Sequence, residues 1–410
     1  MLAMDRMAST PFLIAVCLAS LSCAEAAPPP PGVIVRDSGG VEIVENLSPA
    51  LGSDAWSIDP EPRVEIGTVD GGEPYVFTRV WDATRLPDGR LVVVDEMSLE
   101  IRVYTPDGDH LVTFGGGGEG PEEFGGPAFV RSTADGQILA WDGGRQRLTR
   151  FNPEGELVEE TSLSEALSAH GVFPFRNGPV WEIDSDGTLL STGPVRPGRG
   201  EGLRESFRRI VVVDNDAATS HDFGHVPSGQ SFVVRTERAS VGVGNPYAPS
   251  TRAGLDVHGN VVIADPEVWG LSVYTVDGTL KRIVRADIPR LVVTEELREE
   301  GFARTRWVAE TSPLTLQQAE DAYASISLPD SVPAIGSVAA DGSHLWVGRR
   351  VGRWFEVGAH DVFDQDGRWL TTVTMPSEIQ AILEIGDDYL LAHVQDELEI
   401  SYVRSYAIRK

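Results

Sequence analysis

An arginine- and tryptophan-rich cluster towards the C-terminal end is the first group of residues that could do chemistry. It comprises Arg349, Arg350, Arg353 and Trp354. A guanidinium binds a carboxylate or a phosphate through two parallel hydrogen bonds, and it also stacks on aromatic rings. The cluster is therefore a candidate contact for a ligand with an acidic group, such as a sugar acid. The alternative interpretation is a set of solvated loop arginines.

A second arginine-rich stretch, the predicted loop 194–208, and two single residues add to the candidate ligand contacts. The stretch and the residue after it contain Arg196, Arg199, Arg204, Arg208 and Arg209. Trp269 comes soon after one recurring aspartate, and Arg145 follows another. We expect ligand contacts among residues that depart from the repeated pattern of the chain, because the repeated residues serve the scaffold.

Three aspartates recur at matched positions and could hold a cation. Asp95, Asp142 and Asp265 each come six residues after a turn glycine. If the repeated units form a ring, these carboxylates would surround one face of it. The alternative is that each aspartate caps its own turn, as aspartates commonly do, and repetition favours this structural role. We therefore expect no cofactor, with calcium as the alternative.

Several classes of chemistry are excluded by motifs that the chain lacks. Cys17 and Cys23 are the only cysteines and both precede residue 24, so the folded part has no disulfide, thiol nucleophile or thiolate metal site. There is no Gly-x-Ser-x-Gly nucleophile elbow, and the glycine-rich stretch 115–126 lacks the Gly-Lys-Ser/Thr of a phosphate loop. The histidines show no metal-binding spacing. A net charge of −28 argues against nucleic acid as a partner.

The elements that position these residues come from a repeated unit. The stretch 74–155 contains the unit twice, so that Pro74 recurs as Pro121, 47 residues later. Counted from the first turn glycine, an Asp follows at +6, an aromatic residue at +15 and a second glycine at +19. Units that begin at Gly89, Gly136 and Gly259 share this spacing. A fixed period of this size is typical of repeat architectures.

Each unit reads as an antiparallel meander of four short strands with glycine in the tight turns. One unit cannot bury both of its faces, so several must stack radially and close into a ring. Three weaker units follow the same pattern, at 179–223, 332–375 and 379–408. The last unit lacks a strand, which Arg63–Ile66 could supply. The sequence thus predicts an all-β fold of six units closed by both ends of the chain.

One segment, 294–328, breaks the β pattern and predicts a helical insert between the fourth and fifth units. Thr294 is the expected cap of one helix, and Thr315 with Gln318 forms a capping box at the start of another. The insert is interpreted either as a decoration packed over one blade edge or as a lid over the mouth of the ring.

The N-terminal residues 1–26 have the pattern of an export signal. Arg6 precedes an apolar run, and the small residues around Ala24-Glu25-Ala26 suit signal-peptide cleavage. Cys23 offers the alternative of a lipid-modified first residue. A proline-rich spacer, 27–32, leads to a single domain, 33–410, whose segment 33–78 closes the ring.

The second repeat carries a resemblance to a known family. Its residues Phe114-Gly115, Gly120-Pro121-Glu122-Glu123-Phe124, Asp135-Gly136, Asp142, Arg147 and Phe151 resemble an NHL repeat. The chain from about residue 33 is similar to bacterial six-bladed β-propeller proteins of NHL type, many of them exported or lipid-anchored. Glu100 and Gly270 depart from that pattern, because NHL repeats carry an arginine there. The resemblance implies six four-stranded antiparallel blades.

The function expected from this reading is a non-catalytic module that binds a small molecule or a protein at the central funnel. The protein is expected to be a monomer, exported to the periplasm, the outer membrane or the medium, and to meet a membrane only through a lipid anchor. Propellers of gluconolactonase and paraoxonase type use a central calcium ion, so a metal-dependent hydrolase or lyase is one alternative. A protein-interaction scaffold at the envelope is another.

Overall fold

A computed structural model describes residues 32–53, 55–172, 180–195, 200–217, 220–352 and 357–410. These ranges contain six β-sheets. The predicted signal peptide, Cys23 and all of the spacer but Gly32 lie outside the described residues. No helix within these ranges is both long and apolar enough to cross a membrane.

The described chain begins with four short strands. They are β1 (Val33–Ser38), β2 (Val41–Asn46), β3 (Ser57–Ile58) and β4 (Val64–Ile66), and a 3-10 turn follows at Glu73–Tyr75. β1 and β2 form an antiparallel hairpin. Its turn contains Gly39 and Gly40 with φ of 65° and 88°, a backbone conformation that favours glycine.

Sheets 1 and 2 are regular four-stranded meanders. Sheet 1 contains β5 (Val80–Arg85), β6 (Leu91–Asp95), β7 (Glu100–Tyr104) and β8 (His110–Gly115). Sheet 2 contains β9 (Pro127–Ser132), β10 (Ile138–Asp142), β11 (Arg147–Phe151) and β12 (Leu157–Ser162), and a short helix α1 (Ser164–Ala169) follows it. The two repeats detected in the sequence are therefore two sheets with the same strand order.

Sheet 3 corrects the boundaries expected for the third unit. It contains β13 (Val180–Ile183), β14 (Leu189–Val195), β15 (Gly202–Val213), β16 (Ser220–Arg235) and β17 (Ser240–Gly244). Most of the predicted loop 194–208 is strand, and the unit extends to Gly244. Along β15 the arginines Arg204 and Arg208 are half-buried whereas Leu203 and Phe207 are exposed. The sequence did not predict this strand, because polar residues occupy the inward face of β15 and apolar residues the outward face.

Sheet 4 receives the N-terminal hairpin as two additional strands. Its own strands are β18 (Ala253–Leu255), β19 (Val261–Ala264), β20 (Gly270–Tyr274) and β21 (Leu280–Ala286). β2 pairs in parallel with β21, which extends the sheet to six strands. Asn46 fixes this edge, since its buried side chain donates to the carbonyls of Arg285 and Gly367 and accepts from the Trp369 amide.

Two helices follow sheet 4, α2 (Glu295–Thr311) and α3 (Leu316–Ala324). Thr294 caps the first, and Thr315 and Gln318 form the capping box of the second. The apolar side of α3, including Ala319 and Tyr323, packs against Val243 of β17, the edge strand of sheet 3. The helices thus pack on the extended part of sheet 3.

Sheets 5 and 6 complete the chain. Sheet 5 contains β22 (Ile335–Ala340), β23 (Leu345–Arg350), β24 (Val357–Phe363) and β25 (Trp369–Thr374). Sheet 6 contains β26 (Ile379–Ile385), β27 (Tyr389–Gln395) and β28 (Ser401–Arg409). β4 pairs antiparallel with β28, with Ile66 opposite Val403. The N-terminal segment expected to supply the last strand therefore lies in sheet 6.

The core lies between neighbouring sheets, and the first strand of each sheet faces the centre. Phe114 of sheet 1 contacts Phe151 of sheet 2 with 4.8 Å between ring centroids, which is one example of this packing. The six first strands, β5, β9, β13, β18, β22 and β26, contribute residues to one central channel. Radial sheets around a channel are the architecture of a β-propeller.

Candidate functional site

The central channel is a large concave feature with a volume of about 1700 Å³. Its wall consists of the first strands and of the turns that join each first strand to the second. Since successive side chains of a strand point to opposite faces, alternate residues of each first strand point into the channel. A site in this channel therefore draws its residues from all six sheets.

The strand registers place these residues in two rings. The first ring, nearer the turns, contains Thr84, Arg131, Glu182, Gly254, Ala339 and Glu384. The second ring lies further from the turns, by two residues in four sheets and by three in sheet 6, where the register shifts. It contains Asp82, Phe129, Arg252, Ser337 and Ala381 from five of the sheets. Charged residues thus occupy positions that apolar residues could fill.

Arg131 and Asp82 form the central ion pair of the channel. The Arg131 Nη1 atom donates to Asp82 Oδ2 at 2.8 Å, and the Val130 amide donates to the same oxygen at 3.0 Å. Burial raises the pKa of Asp82 to about 6 despite the neighbouring guanidinium. Burial alone would lower the pKa of Arg131, but Asp82, Glu384 and Glu182 raise it. One guanidinium is therefore shared among three carboxyl groups.

Glu182 is a buried channel carboxyl group whose pKa is strongly raised. Its Oε2 atom accepts the Leu255 amide of the next sheet at 2.7 Å. Gly254 makes room for it, because a Cβ atom there would lie 3.0 Å from Oε2. Burial, with a smaller contribution from the charge of Asp184, raises the pKa of Glu182 to about 7, although the Leu255 amide and Arg131 act in the opposite direction. Glu182 can therefore exchange a proton, or accept a hydrogen bond from a ligand, near neutral pH.

Glu384 joins sheet 6 to sheet 1 in the same way. Its Oε1 atom accepts from Thr84 Oγ1 at 2.6 Å, and its Oε2 atom accepts from the Arg85 amide at 2.8 Å and from the Tyr389 hydroxyl at 2.8 Å. Glu182 and Glu384 thus both accept a backbone N–H from the following sheet. The first ring holds neighbouring sheets together as well as lining the channel.

A serine and a histidine form a polar contact in the second ring. Ser337 Oγ and His360 Nε2 are 3.2 Å apart. Gly348 lies between them in the register, and its lack of a side chain lets the imidazole reach across. Burial lowers the pKa of His360 to about 4, so its ring is neutral at pH 7. Its Nδ1 atom has no hydrogen-bond partner among the described residues.

Arg252 lies at the level of the second ring, at the end of the channel away from the turns. Arg252 lies in register with Asp82, and its Nε atom donates to the Gly336 carbonyl at 2.8 Å. Burial, together with the charges of Arg208 and Arg350, lowers the pKa of Arg252 to about 9. Arg208 and Arg350, one residue from each of the two arginine-rich stretches, thus act on Arg252 through their charges.

The structure distributes the predicted arginine and tryptophan cluster. Arg349 and Arg350 are the last residues of β23 and not loop residues, which corrects the expected loop 349–354. Arg349 makes two hydrogen bonds of 2.7 Å to Asp361, whose side chain is fully buried. Arg350 is buried and donates to the Pro246 carbonyl. Arg353 and Trp354 lie outside the described residues.

The two single candidates lie within the scaffold. Trp269 is buried and packs on Phe363 with 5.1 Å between ring centroids. Arg145 donates to the Glu123 carbonyl at 2.8 Å and contacts Asp142 at 3.3 Å. Neither residue is among the described residues that line the channel.

The three recurring aspartates cap loops in three different sheets. Asp95 accepts the amides of Thr78 and Arg79, at 2.8 and 3.0 Å. Asp142 accepts the Gly125 amide, and Asp265 accepts the amides of residues 267 and 268. Across the described ranges, no three His, Cys, Asp or Glu side chains lie close enough together to hold a metal ion. Each aspartate thus caps a loop of its own sheet, and the three carboxylates do not come together at one site.

The four charged residues Asp82, Arg131, Glu182 and Glu384 were not among the predicted site residues. Each stands in the first strand of its unit, beside apolar residues such as Ala83, Val130 and Ile183. A charged residue inside an otherwise apolar first strand is the signal that could have indicated them, because that strand faces the centre of the ring.

Comparisons with known proteins give similar folds only. No protein-family profile matches the chain, and no curated protein matches it. Similar solved structures include BF0058 of Bacteroides fragilis NCTC 9343, provisionally described as exported, with 12% identity over 90% of this chain and 99% of that one and a TM-score of 0.44.

Two further similar structures are enzymes by their descriptions. A gluconolactonase of Xanthomonas campestris has 12% identity over 82% of this chain and 87% of its own, with a TM-score of 0.37. A virginiamycin B lyase of Staphylococcus aureus has 8% identity over 87% and 99%, with a TM-score of 0.36. The sheets of this chain themselves establish its propeller architecture. The resemblance to NHL repeats remains a prediction.

Proposed function

We propose that this protein is a six-bladed, exported β-propeller that binds a small molecule in its central channel. The helical insert between the fourth and fifth blades packs on the third blade. A concave site with a few convergent polar groups is the usual form of a small-molecule site. The protein acts as a monomer in this proposal, because one chain supplies the whole ring.

The observation that carries the proposal is the convergence of Asp82, Arg131, Glu182 and Glu384 on the channel. These residues come from four different sheets and are spread over 300 positions of the chain. Holding charged groups in a channel wall is costly unless they are paired. The hydrogen bonds of these residues offset part of the free-energy cost of removing their charges from water. A ligand that hydrogen-bonds to Glu182 would offset more of this cost.

A binding screen with matched variants tests the proposal. Small molecules are screened by thermal shift, and each hit is then titrated by calorimetry against the wild type, Glu182→Gln and Glu165→Gln. Glu165 is an exposed residue of α1 and receives the same chemical change. We expect Glu182→Gln to weaken binding by about tenfold, the loss of one charge-assisted hydrogen bond, while Glu165→Gln binds like the wild type. Equal affinities in all three proteins would reject the channel as the site.

Export is the second part of the proposal, and it is supported by the signal-like residues 1–26. The full-length wild type and Cys23→Ala are expressed in a Gram-negative host and partitioned between a detergent and an aqueous phase. This experiment distinguishes a lipid anchor at Cys23 from cleavage after residue 26. A lipid anchor at Cys23 places the wild type in the detergent phase and the variant in the aqueous phase. A protein cleaved after residue 26 stays aqueous in both cases, and retention of an uncleaved chain in the cytoplasm would contradict export.

A further inference from the structure

The wall of the central channel has an excess of negative charge. Among the described residues that line it, nine are aspartate or glutamate, against the two arginines Arg85 and Arg131. Three of the nine form ion pairs, since Asp82 contacts Arg131, Asp388 contacts Arg85, and Asp341 contacts a lysine. The other six form no ion pair with any described residue, and they are Glu182, Asp184, Asp186, Asp256, Glu384 and Asp387.

The unpaired carboxylates converge from several sheets on one end of the channel. Two of them belong to the first ring, and the other four stand in the turns that follow the first strands. Neighbouring turns are close together there: a Cβ atom on Gly259 would lie 3.5 Å from Asp184 Oδ2, and one on Gly342 would lie 3.1 Å from Asp387 Oδ1. A cleft lined by one sign of charge concentrates ligands of the opposite sign.

The two glutamates of the first ring differ in what they leave for a ligand. Glu384 uses both of its oxygens, but its donors are the neutral groups of Thr84, Arg85 and Tyr389, so its negative charge is not balanced by them. Glu182 uses only Oε2, which accepts the Leu255 amide at 2.7 Å. Its Oε1 atom accepts no hydrogen bond from the described residues and is accessible from the channel. A ligand donor can therefore reach Glu182 Oε1 directly.

Trp81 supplies an aromatic surface at the end of the channel away from the turns. Val80 pairs with Asp95 and Asp82 pairs with Val94, so Trp81 is the extra residue of a β-bulge in β5. A bulge takes a side chain out of the regular alternation of a strand, and Trp81 lines the channel with 37% of its surface exposed. The face of an indole ring attracts a cation, and it also packs against apolar groups.

We propose that the small molecule bound in the channel is an organic amine in its protonated form, with an apolar body attached to the ammonium group. This inference rests on the proposed function and adds the chemical class and the orientation of the ligand. The ammonium group donates to Glu182 Oε1 in the first ring, and the apolar body extends towards Trp81. Arg131 does not reverse this preference, because it is paired with Asp82 at 2.8 Å. An anionic ligand would instead meet six unpaired charges of its own sign.

Three probes that share one aromatic body and differ in charge test the ligand class. They are phenethylamine, 2-phenylethanol and phenylacetate, which carry an ammonium, a hydroxyl and a carboxylate group. Each is titrated by calorimetry into the wild type at pH 8 and an ionic strength of about 20 mM, where screening is weak. At pH 8 the amine is still protonated, and Glu182 is ionised because its pKa is about 7. We expect phenethylamine to bind about tenfold more tightly than 2-phenylethanol, and phenylacetate to bind most weakly.

Two variants with matched controls test the orientation of the amine. Glu182→Gln should weaken phenethylamine by about tenfold, the loss of one charge-assisted hydrogen bond, and Glu165→Gln should bind it like the wild type. Trp81→Leu should weaken it by about fivefold, the size of one cation–π contact. Its control is Trp307→Leu, since Trp307 of α2 is 47% exposed and does not line the channel.

The turn carboxylates should act on the amine at longer range. Asp387 is exposed, and its side chain makes no hydrogen bond with any described residue, so Asp387→Asn removes a charge without removing a cap. We expect this variant to weaken phenethylamine by about twofold at low ionic strength, an effect that sodium chloride screens. Asp107→Asn, in an exposed turn outside the channel, should have no effect.

Several results would overturn the inference. They are the absence of saturable phenethylamine binding, 2-phenylethanol or phenylacetate that binds the wild type as tightly as phenethylamine, or Glu182→Gln and Trp81→Leu that bind phenethylamine like their controls. The comparison of the three probes uses the wild type alone, so it remains decisive if a variant does not fold.

The same measurements separate this inference from the proposed function. A screened ligand that has no positive charge but depends on Glu182 would refute the amine class and leave the channel as the binding site. Screened ligands that ignore Glu182→Gln, together with phenethylamine that binds all variants equally, would refute the channel proposal as well.

Discussion

At the scale of single residues, the channel depends on how three carboxyl groups share the guanidinium of Arg131. Asp82 contacts it at 2.8 Å, whereas Glu182 and Glu384 use backbone amides and hydroxyls as their nearest partners. Because Asp82 is buried and the charge of Glu384 acts on it, its ionised form is disfavoured despite the contact with Arg131. The charge state of the channel therefore changes within the pH range in which the protein is expected to work.

The stability of the folded protein should fall as Asp82 ionises. Its pKa rises from the ordinary 3.8 to about 6 on folding, so its contribution is fully present below pH 3.8 and is lost as the pH rises through 6. A shift of this size corresponds to about 3 kcal/mol. Asp82→Asn mimics the protonated form, so between pH 4 and pH 7 its free energy of unfolding should rise by about 3 kcal/mol relative to the wild type.

Urea unfolding at a series of pH values measures this difference. Asp107→Asn, an exposed turn substitution, provides the control and should run parallel to the wild type. A constant difference between Asp82→Asn and the wild type across the range would show that Asp82 ionises with an ordinary pKa.

Arg349 should stabilise the fold even though the sequence suggested a ligand contact. Its two hydrogen bonds to Asp361 neutralise a fully buried carboxylate. Arg349→Met would leave that charge unpaired, and we expect a loss of about 3 kcal/mol of unfolding free energy, most of it recovered in the double variant with Asp361→Asn.

The matched control is Arg36→Met, which removes an exposed ion pair with Glu45 and should cost less than about 1 kcal/mol. Chemical unfolding gives the free energies of unfolding of the wild type, Arg349→Met, the double variant and Arg36→Met, which are then compared. If Arg349→Met were as mild as Arg36→Met, a structural role for Arg349 would be refuted and the ligand role would regain support.

At the scale of elements, the repeat spacing predicted the turns and strands that follow it closely. Gly89 and Gly136 lie in matched turns with positive φ, and the Arg63–Ile66 segment supplies β4 to sheet 6. The sequence failed at β15, where arginines occupy the inward face and apolar residues the outward face. It also did not indicate that β2 joins sheet 4 in parallel, since parallel pairing with a strand more than 200 residues away leaves no local signal.

Pairing of β4 with β28 should contribute strongly to stability because it joins both ends of the chain. Ile66 is 1% exposed in this contact, and Ile66→Ala should lower the free energy of unfolding by about 2–5 kcal/mol. Ile34 of β1 is 48% exposed, and Ile34→Ala should change it by less than about 0.5 kcal/mol. Thermal and urea unfolding of both variants test this, and similar values for the two would refute closure through β4.

At the scale of the whole molecule, the candidate site exists only because six strands meet. Asp82, Arg131, Glu182 and Glu384 are too far apart in the chain for any motif to connect them. The sequence indicated the basic stretches that contain Arg208 and Arg350, but not that their charges act on Arg252. Local sequence patterns were thus sufficient to predict the repeated units of the ring. Predicting the site would have required the register between the first strands of the sheets.

The most direct test of the account is a crystal structure of the protein with a ligand obtained from the thermal-shift screen. We expect the ligand within the central channel, in hydrogen-bond contact with Glu182. A ligand bound on the outer surface of the sheets or on helices α2 and α3, with none in the channel, would contradict the account.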